Sequence, residues 1–274
     1  MVLLLILLAI ALILLLSRTP RQSTAVPLAA WQAILDARPA QPVIDRMAAY
    51  LDCPTRLFPP TQDAAATEQA FVKALADGRG QGFTPVLVAV DENLLGDLLW
   101  EAPSPGALDL PQVRAARQAL LAADLPDGAQ WLAQRQAELS DLFAFYEQNT
   151  AEAFPFGFSG APYGGGQPVD LLLAQVPTAD PWQVFGWIPM GGWNDCPEPA
   201  AMMAVAKHWH EAYGAVPACI TRDTVVFYLP KGLGRRDSRQ AAREHLAFCP
   251  DSGESLDALA RQIRGSHYWY FWWD

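Results

Sequence analysis

The sequence predicts an α+β protein: a helix-rich N-terminal lobe, then a C-terminal lobe in which helices cover a mixed β-sheet. Three observations predict it. Between residues 31 and 153, apolar residues recur three and four apart, the period of amphipathic helices. After residue 169, short β-branched and aromatic runs alternate with helical stretches. Between the two, residues 154–168 read "FPFGFSGAPYGGGQP", with five Gly and three Pro, and form a linker.

The chain has 274 residues, 51% hydrophobic and 18% charged, with a formal net charge of −10. That length suffices for one large domain or two small ones with a sizeable core. The acidic balance repels phosphate backbones and argues against a nucleic-acid partner. Gly164, Gly165 and Gly166 are followed by no Gly-Lys-Ser/Thr, and no G-x-G-x-x-G links strand to helix, so no phosphate cradle and no cofactor is predicted.

Residues 2–16 are an unbroken apolar run. As a helix it spans about 22 Å, short of the ~20 residues of a full membrane crossing. No Lys or Arg precedes it, as a signal peptide would need. Arg18 and Arg21 follow it and favour keeping that flank cytoplasmic. The reading is a single-pass membrane anchor, residues 1–16, and a tether, 17–30, carrying Pro20 and Pro27. Two alternatives stand beside it: export after cleavage near residues 23–25, and a misassigned start.

The lobe of residues 31–153 opens with helical stretches "LAAWQAILDAR" and "PVIDRMAAYLD", separated by Pro39 and Pro42. "RLFPPTQDAA" breaks the pattern. "TEQAFVKALADGRGQG" is an amphipathic helix with Phe71 and Leu75 on one face, ended by Gly78 to Gly82. "FTPVLVAV" is the lobe's one buried strand. "DENLLGDLLWEA" is a helix capped by Asp91. After a Pro-rich loop, "QVRAARQALLAADL" and "GAQWLAQRQAELSDLFAFYEQ" are two more helices.

In the C-terminal domain, 169–274, "VDLLLAQV" and "WQVFGWIPM" read as strands, and "GGWNDCPEP" turns into a helix ending near Tyr213. "VPACITR" and "TVVFYLP" pair around Asp223. "DSRQAAREHLAF" and "SLDALARQIRG" are helices. An echo links the lobes: Gly82 and Gly214 each open Gly-x-x-Pro, an apolar run, and Asp nine residues on. It is either an αβ repeat or shared helix-to-strand punctuation.

Tyr268 to Trp273 are six consecutive aromatics. As a strand they put Tyr268, Tyr270 and Trp272 on one face and Trp269, Phe271 and Trp273 on the other. Neither face is polar, so the strand belongs inside a covered sheet rather than at a solvated edge. Each ring buries ~150–250 Å². The alternative is an exposed aromatic patch for a membrane or partner.

"GGWNDCP", the helix holding "HWHEAYG", "FCPD" and the closing "YWYFWWD" together resemble a bacterial family known as domain of unknown function 4253, over about residues 167–274. The motif positions fall on Trp193, Asn194, Cys196, Pro197, Cys249, Pro250 and Asp251. The resemblance implies an α+β domain and brings no activity with it. His208-Trp209-His210 departs from the family's Tyr-Trp-Tyr, which weakens any role for the two histidines.

"GGWNDCPEP" is the most site-like stretch. Read as a helix start capped by Asp195 or Cys196, it places the Cys196 thiol at a positive helix end, where a thiolate forms more readily. Asp195 and Glu198 oppose that. Cys196 and His245 are therefore the catalytic candidates, with Trp193, Asn194, Asp195, Cys196, Cys249 and Asp251 as binding candidates. His208 and His210, two apart on a helix, point too far apart to grip one ion, and the cysteines Cys53, Cys196, Cys219 and Cys249 lack metal-ligand spacing. Lys231, Arg235, Arg236 and Arg239 form a basic cluster suited to anionic lipid or an acidic partner. With no complete catalytic set, the predicted function is a non-catalytic binding module at a membrane, with an unknown protein or small molecule as ligand. The alternative is a thiol-dependent or hydrolytic enzyme using Cys196.

Overall fold

A computed structural model describes residues 41–60, 63–100, 108–151, 163–164, 167–253 and 255–273. The anchor, the tether, the stretch 28–38 and most of the linker lie outside the described residues. Among the described residues, no helix is long and apolar enough to cross a membrane.

The elements run α1 (Gln41–Leu51), β1 (Thr55–Phe58), α2 (Ala64–Gln81), β2 (Thr84–Ala89), α3 (Glu92–Trp100), α4 (Leu110–Ala122), α5 (Gly128–Glu138) and α6 (Ser140–Gln148). A two-residue ladder, β3 (Tyr163–Gly164) with β4 (Gln167–Pro168), precedes β5 (Leu171–Val176) and the short α7 (Val184–Trp187). Then come α8 (Pro199–Tyr213), β6 (Val216–Ile220), β7 (Thr224–Tyr228), α9 (Arg235–Phe248), α10 (Leu256–Ile263) and β8 (Tyr268–Trp272). This is the predicted α+β class.

The main sheet has the order β1-β5-β2-β6-β7-β8, and only β2 and β6 run parallel. The sheet takes strands from both sides of residues 154–168, and residues 38–274 form one compact unit. The N-terminal stretch supplies two strands to it, not one. "RLFPP" was read as a break, but Thr55–Phe58 pairs antiparallel with β5 before Pro59 stops it.

The echo acquires a geometry. Gly82 and Gly214 both end helices in the left-handed conformation, at φ 75° and 72°. The strands that follow pair Leu87 with Cys219 and Val88 with Ile220, five and six residues past each glycine. The two helix–strand units thus lie side by side in equal register. Gly78 to Gly82 end α2 as expected: the Gly78 carbonyl, in the last turn, accepts from the Gly82 and Phe83 N–H groups at 2.9 and 3.2 Å, and a Cβ on Gly78 would lie 2.3 Å from the Phe83 carbonyl oxygen.

Each face of the sheet has its own core. Leu87, Ala89, Leu171 and Leu173 pack under Phe71 and Leu75 of α2. Val86, Val88, Leu172, Ala174 and Val176 face the larger core, built from most of the other helices. β8 divides the same way. Trp269, Phe271 and Trp273 are fully buried in the large core, while Tyr270 is half-buried and Trp272 is 40% exposed. The strand is last in the sheet order, not interior, and helices rather than a further strand bury it. At the centre, Trp209 stacks on Phe271 at 5.3 Å and meets Trp269, Phe248, Phe227 and His245 within 5.6 Å.

Other local readings change. "WQVFGWIPM" is no strand: Pro181 starts a 3-10 turn, and Val184–Trp187 continues as helix, with Gly186 tight against Leu121 and Met203. The long helix after Gly128 breaks at Leu139, which has left helical geometry (φ −95°, ψ 22°). α9 starts at Arg235, two residues before the predicted stretch, with Gly234 at its cap.

Candidate functional site

β2 and β6 run parallel and then diverge, β2 into α3 and β6 into the hairpin to β7. In open α/β sheets such a divergence leaves a crevice beyond the carboxyl ends of the strands. Here it holds two chambers, of about 450 and 430 Å³, that share Asp97, Trp193 and Arg222 as walls. Asp97 and Arg222 form an ion pair at 2.8 Å.

The turn before α8 builds the shared wall. Gly191 and Gly192 have φ of 109° and 80°, and Asn194, a residue that tolerates the left-handed region, has φ 48°. The Gly192 N–H donates to the carbonyls of Cys196 and Pro197 at 3.2 and 3.1 Å, and the Cys196 N–H to that of Trp193 at 2.9 Å. A Cβ on Gly191 would lie 2.1 Å from the Pro197 carbonyl oxygen. The loop is therefore folded tightly enough to hold Trp193 between the chambers.

α3 and α4 wall the inner chamber. Arg117 of α4 is 3% exposed. Its Nε donates to the Trp187 carbonyl at 2.8 Å and its Nη2 to the Tyr50 carbonyl at 2.7 Å. Its guanidinium lies 4.7 Å from the Tyr50 ring centre and 4.5 Å from that of Trp187. Nη1 is buried with no hydrogen-bond partner among the described residues, and so is Oε1 of Gln112 on the same chamber wall. Burial lowers the Arg117 pKa, yet a guanidinium stays charged.

The outer chamber is closed by the chain's last strand. Trp272, Trp273, Asn194 and Asp223 line it. Asp223 ties the tail to the β6–β7 hairpin. Its carboxylate accepts from Thr221, from Thr224 and from the Trp272 indole (3.2 Å), and its carbonyl accepts from the Trp273 N–H at 3.0 Å.

The structure brings Trp193 and Asn194 to the cleft and leaves the other sequence candidates outside it. α8 begins at Pro199 with Glu198 at its cap, so Cys196 does not sit at the helix end. Cys196 is buried, and burial, with Cys249 and Glu198 nearby, pushes its thiol well above the usual value. All four cysteines are free thiols. Cys249 donates to the Trp272 carbonyl at 3.1 Å, and burial pushes its pKa up to about 11. His245 is fully buried among Trp209, Trp269 and Phe271, its Nδ1 donates to the Ala241 carbonyl at 2.8 Å, and burial lowers its pKa to about 3. It cannot serve Cys196 as a base. Asp195 pairs with Arg135 at 3.2 Å, and Asp251 is exposed on the turn after α9.

Lys231, Arg235 and Arg236 are exposed, while Arg239 pairs with Asp257 at 2.9 Å. Glu244, which sequence reasoning passed over, is a buried carboxylate. It accepts from Trp209 Nε1 (2.9 Å), Gln240 (3.0 Å) and Tyr213 (3.2 Å), with His208 at 3.5 Å. That last contact is an ion pair at long range rather than a well-formed hydrogen bond, since His208 Nε2 is otherwise unpartnered. Among the described residues, no group of three or more His, Cys, Asp or Glu is placed to hold a metal. Arg117 was also missed, although it falls on the stripe Val113, Arg117, Leu120, where a lone cation among apolar residues signals burial.

The fold and cleft define an α+β domain with a preformed two-chamber crevice at the ends of its parallel strands. Residues 172–274 match the model of the family described as Domain of unknown function (DUF4253). No curated protein and no solved structure matches the chain. The outer chamber is built mainly from the matched residues, whereas Gln112 and Arg117 precede them.

Proposed function

We propose that the chain is a non-catalytic binding module that takes a small molecule in this cleft and is held at a membrane by residues 2–16. One observation carries the ligand reading: a tightly folded glycine turn holds Trp193 between two chambers whose volumes fall within the ~300–1,000 Å³ of small-molecule sites. Among the described residues, those lining the chambers include no histidine, cysteine, serine or lysine, so they offer no Ser–His or Cys–His pair. Thiol chemistry at Cys196 needs an accessible thiolate, and burial opposes one.

The test is a thermal-shift screen of small metabolites on the full chain and on Ala116→Trp. Ala116 is an exposed residue of the inner wall, so the indole blocks the chamber without disturbing the core. Ligands that stabilise the parent and not the variant support the reading. A screen in which every hit also stabilises Ala116→Trp refutes it. For the anchor, a reporter fused after residue 30 should be membrane-bound. On the cytoplasmic side, Lys231, Arg235 and Arg236 would add about 1 kcal/mol each toward anionic lipid.

A further inference from the structure

We infer that Arg117 is the anion anchor of the inner chamber, and that the ligand is a small carboxylic acid with an apolar body and a hydrogen-bond donor beside its carboxylate, as in an α-amino or α-hydroxy acid. This rests on the reading of the cleft as a ligand site. Burying an unpaired cation costs several kcal/mol, and the Tyr50 and Trp187 rings return only part of that, about 0.5–2 kcal/mol each. Asp52, the carboxylate that acts on Arg117, is already held by two hydrogen bonds from Arg114, at 2.6 and 2.8 Å. Two of the guanidinium nitrogens are fixed by carbonyls, so the third, Nη1, is held in place with no well-formed hydrogen bond and only the neutral Tyr50 side chain and the Trp187 ring against the guanidinium. A carboxylate completes the pair and forms a charge-assisted hydrogen bond.

The rest of the chamber narrows the class. Gln112, on the same helix as Arg117, has an unpartnered buried amide oxygen, which calls for a ligand O–H or N–H. Leu94, Leu98, Val113, Leu120 and Met190 supply an apolar wall. Asp97 is neutralised by Arg222, but Glu198 brings an exposed carboxylate to the chamber. A phosphate dianion would meet that charge, whereas a monoanion with an adjacent donor meets Arg117 with one end and Gln112 or Glu198 with the other.

The probes are phenyllactate, L-phenylalanine, 3-phenylpropionate, L-phenylalaninamide and phenyl phosphate, titrated by calorimetry against the full chain. Phenyllactate or phenylalanine should bind about tenfold or more tightly than the amide, which lacks the carboxylate, and more tightly than phenylpropionate, which lacks the donor. Arg117→Lys should lose about tenfold, because a point charge cannot reproduce the fork. Should that variant fail to fold, Gln112→Leu decides: it should erase the advantage of phenyllactate over phenylpropionate. Amide binding equal to acid binding, preference for phenyl phosphate, or an unchanged ratio in Gln112→Leu would each overturn the inference. If neutral compounds bind and Ala116→Trp excludes them without any preference for acids, the anion anchor is wrong and the cleft reading stands. If Ala116→Trp excludes nothing, both fall.

Discussion

Lowering the pH from 7 to 5 should destabilise this protein through one residue, His245. In the unfolded chain its imidazole titrates near the ordinary 6.5, whereas in the fold burial lowers its pKa to about 3. A histidine with a depressed pKa contributes stability that is present above 6.5 and is lost as the pH falls toward the folded value. At pH 5 the unfolded state binds a proton on this residue and the native state does not. The linkage is worth about 1.5 pH units at 1.36 kcal/mol each, or about 2 kcal/mol. Between pH 6.5 and 5 the window is clean. Asp52, Glu138 and Glu244, whose pKa values are lowered, begin to lose stability only near their ordinary carboxylate range, and His208, whose pKa is raised, is protonated in both states below 6.5. Urea unfolding followed by tryptophan emission at pH 7, 6 and 5 measures the slope, and His245→Phe and His245→Leu should flatten it. A parent protein equally stable at pH 7 and pH 5, or a slope that survives in both variants, would refute the reasoning.

Above pH 6.5 the sign reverses. The Glu244 carboxylate, 3.5 Å from His208 Nε2, raises the His208 pKa, so its contribution is full below 6.5 and fades as the pH rises through the folded value; Glu244→Gln should weaken that fade in the same urea series. Phe271→Ala, which empties the centre of the ring cluster, should cost about 3–5 kcal/mol, and Trp272→Ala on the exposed face less than about 1; equal losses would mean that the faces of β8 are misassigned. Gly191→Ala meets both a positive φ and the Pro197 carbonyl, and should cost about 1–3 kcal/mol and loosen Trp193, seen as a red-shifted emission. Iodoacetamide at pH 8 should modify half-buried Cys53 well before Cys196, Cys219 or Cys249, and mass mapping that finds Cys196 first would revive the thiol reading.

The class of the fold was legible because period and composition report burial. "FTPVLVAV" and the tail read as strands on apolar content alone, and the alternation along residues 268–273 assigned the faces that pack. Rank in the sheet was not legible, since an aromatic strand can be buried by helices as well as by another strand. "WQVFGWIPM" misled for the same reason: an apolar run shows burial, while Pro181 and the packing of Gly186 against Leu121 and Met203 decide the conformation. At the site, the glycines and Asn194 marked the turn correctly, but the helix cap was placed two or three residues early. That error gave Cys196 a dipole it does not feel. Arg117 and Gln112 are brought to the crevice from a helix more than 70 residues before the Trp193 turn, and no local pattern joins them.

Because Trp272 and Trp273 wall the outer chamber and are pinned by Asp223, the cavity exists only once β8 has docked. A nascent chain still short of residue 268 has β7 with an unpaired flank and a hollow where the indoles belong, a surface prone to sticking to its neighbours. Deleting residues 268–274 should therefore yield aggregates rather than a soluble, merely loosened fold.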